Sequence, residues 1–224
     1  MKGLLSKVVA ILWKDVVSEL RTKEVITSVF VFALLVLVCF SFAFEPDTGM
    51  IELVAPGMLW VCFTFAGLLG LNRGFAAEKE NACFEGLMLC PVDRVVVYLG
   101  KLAGGFTFML VVEAIVTPIF LVLFGLPIFV PELALIIVLA TLGFAAVGTL
   151  FSALAMNTRA RDILLPMVFL PVVVPVIIAG VKTTALVLQG RPWGDMAIWF
   201  QIMVAFDIIY LVVSALVFEF VIEE

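Results

Sequence analysis

Six apolar stretches dominate this sequence, and each is long enough to cross a lipid bilayer as a single helix. A transmembrane helix needs about 20 consecutive, mainly apolar residues, because a helix rises about 1.5 Å per residue and the hydrocarbon layer is about 30 Å thick. Six such stretches predict an all-α polytopic membrane protein that forms one domain over residues 1–224. The predicted spans are residues 25–44, 51–71, 98–124, 132–155, 163–186 and 197–222.

The composition excludes a water-soluble fold. Hydrophobic residues make up 65% of the 224 residues and charged residues only 14%, whereas soluble domains carry about 45–50% and about 25%. Histidine is absent, which excludes a histidine base, metal ligand or heme ligand in this chain. No metal site is predicted, because only two of the four cysteines lie outside the apolar stretches. The basic residues form no stripe that would suit a nucleic acid.

No catalytic motif is present, so the chain is predicted to be non-catalytic. The pair Gly100-Lys101 resembles part of a phosphate-binding loop, but it lacks the earlier glycine and the following Ser or Thr. The chain therefore has no such loop with which to hydrolyse ATP. We expect Gly100 to be a small residue near the membrane edge and Lys101 to be an interfacial anchor.

The distribution of lysine and arginine predicts the orientation, since cytoplasmic loops carry an excess of these residues. If the N-terminus is cytoplasmic, only Lys182 and Arg191 of the 13 basic residues fall on the outer side. Both termini are therefore predicted to be cytoplasmic. The basic residues on the predicted inner side are Lys2, Lys7, Lys14, Arg21, Lys23, Arg73, Lys79, Arg94, Lys101, Arg159 and Arg161.

Residues 3–23 have an amphipathic pattern rather than a transmembrane one. Charged residues lie mostly away from the apolar face, and Trp13 is typical of a membrane interface. The segment predicts a helix that lies on the inner membrane face. The alternative is a plain cytoplasmic cap on the first span. The apolar residues that recur at helical spacing are Leu5, Val9, Leu12, Val16 and Leu20.

A polar segment, residues 73–97, separates the second span from the third. Residues 75–85 can form a short helix that Gly86 ends, and Pro91 can begin the next element. The run "GLMLCP" keeps apolar residues where a loop would be wet, which favours contact with a soluble partner subunit. The alternative is a solvated connector with a turn. The residues predicted to form the docking surface are Phe84, Glu85, Gly86, Leu87, Met88, Leu89 and Pro91.

Two acidic residues, Glu113 and Asp207, lie near the middle of predicted spans. A charged acid there costs about 2.5–3.5 kcal/mol on insertion scales, so such residues usually face a cavity or a partner. For Glu113, a place in a substrate or ion pathway and a hydrogen-bonded packing role both stay open. For Asp207 we expect a structural role, with Tyr210 as its partner.

The fourth span carries small residues every four positions, namely Thr141, Ala145, Thr149 and Ala153. Small side chains let helices approach closely in lipid. We therefore expect this face to pack on another helix, either of the same chain or of a second copy.

Three prolines, Pro166, Pro171 and Pro175, fall within ten residues of the fifth span. Each removes a backbone hydrogen bond and bends the helix, and neighbouring protein can satisfy the freed carbonyl in a membrane. A flexible gate and a shaped helix wall are both compatible with this run.

Several motifs together resemble the heme exporter protein B family, the membrane subunit of the cytochrome c maturation ABC transporter. They are "WKDVVSELRTKE", "EGLMLCPVDR" followed by "YLGK", "LGFAAVGTLFSALAMNTRARDILLP" and "FLPVVVP". Their order and spacing carry the resemblance from Trp13 through the fifth span. The last span is similar only in hydropathy.

The resemblance implies an ABC-2-type exporter fold in a bacterial inner membrane, with an interfacial N-terminal helix and a coupling helix between spans two and three. It implies a separate ABC ATPase subunit that binds ATP, further heme-handling membrane subunits, a heme chaperone and two copies of this chain. Heme would be cargo rather than a bound cofactor. The positions that match the family's motifs are Trp13, Asp15, Glu19 and Arg21 in the N-terminal helix, Glu85 to Leu89 and Pro91 in the coupling segment, Arg159 and Arg161 in the inner loop, and the three prolines of span five.

Other functions fit the same pattern of spans. The chain could be an ABC-2-type permease for another cargo, such as a lipid, a glycan or a drug. It could also be a carrier or structural protein without an ATPase, or an intramembrane enzyme that uses Glu113 and Asp207. The identity of the partner proteins distinguishes these possibilities.

Overall fold

A computed structural model describes residues 2–43, 51–80, 86, 92–127, 130–156 and 161–223. Seven long helices account for most of these residues, and the described ranges contain no β-strand. The helices are α1 (Lys2–Thr22), α2 (Glu24–Ala43), α3 (Ile51–Glu80), α4 (Arg94–Leu123), α5 (Pro131–Met156), α6 (Arg161–Leu188) and α7 (Trp193–Glu223).

Helices α2 to α7 are each long and apolar enough to cross a membrane, which confirms the predicted all-α polytopic fold with six spans. Helix α1 is separated from α2 by Lys23 alone, whose φ of 55° breaks the helix. The carboxylate of Glu19 then accepts a hydrogen bond of 2.7 Å from the backbone N–H of Ile26, in the first turn of α2. Because one residue joins the two helices, the end of α1 lies where the first span begins.

The helix ends differ from the predicted ones around the polar segment. Helix α3 continues to Glu80, so residues 75–80 extend the second span instead of starting a separate helix. Their sequence, "FAAEKE", consists mainly of strong helix formers, with neither glycine nor proline to end the helix. Helix α4 begins at Arg94, four residues earlier than expected, because the Asp93 side chain accepts a hydrogen bond from Val95 N–H and caps it.

Helix α5 occupies the centre of the bundle. It packs against α3, α4, α6 and α7, and 72% of its most apolar stretch is buried, against 17% for α2. The small side chains of α5 allow these close approaches, and the T-shaped contact of Phe144 with Phe169 of α6 fills the space between them.

A second, smaller cluster of buried side chains lies at one end of the bundle. It joins Ile11 of α1, Phe75 of α3, Tyr98 of α4, Ala146 of α5 and Phe218 of α7. The Tyr98 hydroxyl donates a hydrogen bond of 3.2 Å to the Ala146 carbonyl, and its ring lies 5.3 Å from that of Phe218. This cluster places the start of α4 and the ends of α3, α5 and α7 on the same side as α1.

Candidate functional site

Helix α1 packs on α4 through two glycines spaced four residues apart. A Cβ added to Gly100 would lie 2.7 Å from the Cβ of Ile11, and a Cβ added to Gly104 would lie 2.9 Å from Oδ2 of Asp15. Ile11 and Asp15 are also four residues apart, so the two helices meet with matched spacing. A larger residue at Gly100 would require α1 to move away, and one at Gly104 would displace the Asp15 carboxylate.

A buried ion pair fastens the same contact. The Lys101 ammonium lies 3.1 and 3.0 Å from the two carboxylate oxygens of Asp15. Its side chain is only 5% exposed and that of Asp15 is 22% exposed. Lys14 lies 3.1 Å from the same carboxylate, and the Lys101 ammonium lies 5.8 Å from the centre of the Phe75 ring. We call Asp15, Lys101, Phe75, Gly100 and Gly104 the α1 junction.

The α1 junction connects three helices next to the predicted docking segment. Phe75 lies near the end of α3, and Lys101 lies in the second turn of α4. The docking segment joins these two helices, so its ends are fixed to α1 through the junction. The predicted docking residues Phe84, Glu85, Leu87, Met88, Leu89 and Pro91 lie outside the described residues, and Gly86 is exposed with a helical backbone.

The middle of the bundle contains a second polar contact. The Thr141 hydroxyl of α5 lies 2.9 and 2.8 Å from the two carboxylate oxygens of Glu113 of α4, and both residues are buried. A cavity of about 10 Å³ lies beside Glu113, between apolar side chains of α2, α3 and α4. This volume holds at most about one water molecule. Glu113 thus joins two helices by a hydrogen bond, and the cavity that it lines with described residues is too small for a passage.

Comparison with known proteins identifies the family. The sequence profile described as CcmB protein matches residues 6–223. The chain belongs to the CcmB protein family.

Relatives in this family are proteins named heme exporter protein B. The protein of Pseudomonas aeruginosa is 28% identical over 78% of this chain and 79% of its own length. That of Rhodobacter capsulatus is 31% identical over 67% of this chain and 70% of its own, and that of Bradyrhizobium diazoefficiens is 26% identical over 82% of both.

Asp207 differs from the sequence-based expectation for this CcmB-family chain. It is 4% exposed, and its carboxylate has no side-chain hydrogen-bond partner among the described residues, while the backbone of Gly143 lies beside it. Tyr210, the expected partner, instead places its ring 4.3 Å from that of Phe206 on the same helix. The Asp207 carboxylate lies against Gly143 of α5, where a side chain would collide with it.

The small residues of α5 are buried inside this single chain. Thr141, Ala145, Thr149 and Ala153 are each at most 3% exposed. Thr141 meets Glu113 of α4, and Thr149 lies close to Gly105 of the same helix. The packing partner is therefore within the chain, a point that the sequence left open.

The three prolines lie inside a continuous helix. Pro166, Pro171 and Pro175 all fall within α6, and Pro171 and Pro175 are exposed on the outside of the bundle. Of the two residues predicted for the inner loop, Arg159 lies outside the described residues, and Arg161 begins α6.

The α1 junction was not predicted from sequence. Lys101 is buried and paired rather than an interfacial anchor, and Gly100 supports α1. The run "GKLAG" at 100–104 contains the small-xxx-small spacing that marks close helix contacts, and this signal could have identified the site.

Within the described ranges, no three Cys, Asp or Glu side chains are placed to hold a metal ion.

Proposed function

We propose that this chain is the membrane subunit of an ABC transporter for cytochrome c maturation. The observation that carries the proposal is the family match over residues 6–223. It is supported by relatives named heme exporter protein B, which align with this chain over most of their own length. Heme, or a chaperone loaded with heme, is the proposed cargo. The chain would bind no cofactor of its own.

The proposed division of labour assigns ATP hydrolysis to a separate ATPase subunit. The sequence lacks a phosphate-binding loop, and its polar segment at 75–91 would dock on that subunit through Phe84 to Leu89 and Pro91. Movement of the docked segment would pull on both α3 and α4. The pair of Asp15 with Lys101 supports a role for α1 in this movement, since it fastens α1 to α4, and the Lys101 ammonium in turn contacts Phe75 of α3.

The proposed arrangement places both termini on the cytoplasmic side of a bacterial inner membrane. The bias of Lys and Arg toward that side supports this orientation. Helix α1 would lie in the membrane interface, because Trp13 and Leu5 are exposed and one residue joins α1 to the first span. Two copies of the chain would assemble with two ATPases and with further heme-handling membrane subunits.

Co-purification tests the proposal. The tagged chain is extracted gently from its native host, and the proteins that accompany it are identified by mass spectrometry. An ATPase together with heme-handling subunits is the expected result. If an ATPase is found with lipid-, glycan- or drug-handling partners, the chain is still a permease subunit, but heme is refuted as its cargo. A folded chain that brings no ATPase would refute the docking role of 75–91.

A pair of charge insertions tests the docking segment itself. We expect Leu87→Asp to leave membrane insertion intact and to abolish ATPase co-purification, because it places a charge in an apolar docking surface. The matched control is Gln189→Asp, which adds the same charge to an exposed residue in the α6–α7 connection, at the other end of the bundle. Equal ATPase recovery and equal cytochrome c output from both variants would contradict the prediction.

A further inference from the structure

Three of the four basic residues of α1 form a stripe along its outer side. Lys7, Lys14 and Arg21 recur every seven residues, which is close to two helical turns, and all three are exposed. The stripe extends over about 21 Å at about 1.5 Å per residue. We call these three residues the basic stripe.

The acidic residues of α1 are turned toward the protein instead. Asp15 pairs with Lys101 of α4, and Glu19 accepts the backbone hydrogen bond from Ile26 at the start of α2. These are the only two acidic residues in α1. Contacts inside the chain therefore satisfy both negative charges. Lys14 shares the Asp15 carboxylate with Lys101, and Lys7 and Arg21 leave the outer side of α1 with a net positive charge.

An apolar stripe lies beside the basic one on the same helix. Leu5, Val9, Trp13 and Leu20 are between 55% and 68% exposed. A shallow groove of about 380 Å³ runs between the two stripes and is lined by Trp13, Lys14, Val17, Ser18, Arg21 and Thr22. Because α1 ends one residue before the first span, this surface lies at the boundary of the bilayer.

We propose that the outer side of α1 binds the head groups of anionic phospholipids. Lipid phosphate oxygens would accept hydrogen bonds from the basic stripe, while the apolar stripe contacts the acyl chains and Trp13 lies at head-group depth. An anionic bilayer surface satisfies both stripes at once, whereas an acidic soluble protein would leave the apolar stripe in water. The proposal rests on the interfacial position of α1 and not on the cargo, so it can fail while the transport function stands.

Lipid binding by the full-length chain tests the proposal. The delipidated protein is titrated with phosphatidylglycerol and, separately, with phosphatidylcholine, and bound lipids are counted by native mass spectrometry. We compare the wild type with Lys7→Gln/Arg21→Gln, which leaves the α1 junction intact. The matched control is Lys182→Gln/Arg191→Gln, which removes two exposed basic residues from the other end of the bundle.

The expected result is selective. Phosphatidylglycerol affinity should fall about thirtyfold in the α1 variant, since each of the two basic residues removed contributes about 1 kcal/mol near an anionic surface. It should change little in the control, and salt should weaken wild-type binding. Retention by Lys7→Arg/Arg21→Lys would show that charge is the cause.

Four results would overturn the proposal. Equal losses of phosphatidylglycerol affinity in the α1 variant and the control would show that lipid binding is not specific to the basic stripe. Equal binding of phosphatidylcholine, or full displacement by inorganic phosphate, would exclude an anionic lipid surface. Unchanged lipid binding together with a loss of ATPase co-purification in the α1 variant would assign the basic stripe to a protein partner.

Discussion

Removing one charge from the α1 junction should have unequal effects that depend on which partner is removed. Asp15→Asn leaves the Lys101 ammonium buried without its anion, because that side chain is only 5% exposed. Loss of one member of a buried pair costs about 3–5 kcal/mol. Asp15 is 22% exposed, which favours the lower end, so we expect Asp15→Asn to lower the free energy of unfolding by about 3 kcal/mol.

Lys101→Met should cost much less. The Asp15 carboxylate keeps Lys14 at 3.1 Å and remains partly hydrated, and the methionine fills the space beside Phe75. We expect a loss of about 1 kcal/mol. The double variant removes both charges, and replacing a whole buried pair usually changes stability little. We therefore expect its free energy of unfolding to fall by only about 1 kcal/mol, as for Lys101→Met. The coupling energy between the two positions is then about 3 kcal/mol.

Reversible unfolding in mixed micelles of mild detergent and sodium dodecyl sulfate, followed by tryptophan fluorescence, gives the four free energies. The reasoning is refuted if Lys101→Met costs as much as Asp15→Asn, since Lys14 would then not compensate. It is also refuted if the two single effects simply add in the double variant, since the pair would then not interact.

Three further substitutions test the packing and the buried polar groups. Gly104→Ala should lower the free energy of unfolding by about 1–3 kcal/mol in the same assay, because its Cβ would lie 2.9 Å from Asp15. The control Gly57→Ala, with nothing within 4 Å of the added Cβ, should be neutral or slightly stabilising. Equal effects of the two substitutions would argue against the close contact. Thr141→Val should cost about 1–3 kcal/mol by removing the hydrogen-bond donor to Glu113, and a thermal melting temperature equal to that of the wild type would show that this bond contributes nothing. Asp207→Val should raise the melting temperature, because it removes a buried carboxylate that has no side-chain partner among the described residues and only the Gly143 backbone beside it. A destabilised variant would show that the Gly143 contact, or a partner outside this chain, stabilises the carboxylate.

The sequence predicted the spans well because the bilayer imposes one requirement on each of them separately. A helix such as α5 is identified by its length and apolar composition, without any knowledge of its neighbours. For contacts between helices, the local signal is weaker: the glycine spacing at 100–104 marks a close approach but does not identify the partner helix. Asp15 and Lys101 are 86 positions apart, and nothing in either segment identifies the other as its partner.

Local spacing also misled the expectation for Asp207. Tyr210 is three residues away on the same helix face, a spacing that allows contact. The tyrosine ring nevertheless pairs with Phe206, and Gly143 of α5 provides the space that the carboxylate occupies. The contact that the Asp207 side chain makes depends on which helix packs on α7, and the packing of the whole bundle determines that helix.

The separation between α1 and its partner helix also has a consequence for biosynthesis. Helix α1 leaves the ribosome before α4, because Lys101 is made 86 residues after Asp15, which takes about 4–17 s at usual rates of translation. During this interval two spans can insert while α1 has no helix to dock on. We expect the apolar stripe to hold the nascent α1 against the lipid until α4 arrives. Crosslinking of stalled nascent chains would detect α1 next to lipid before residue 101 is translated and next to α4 afterwards.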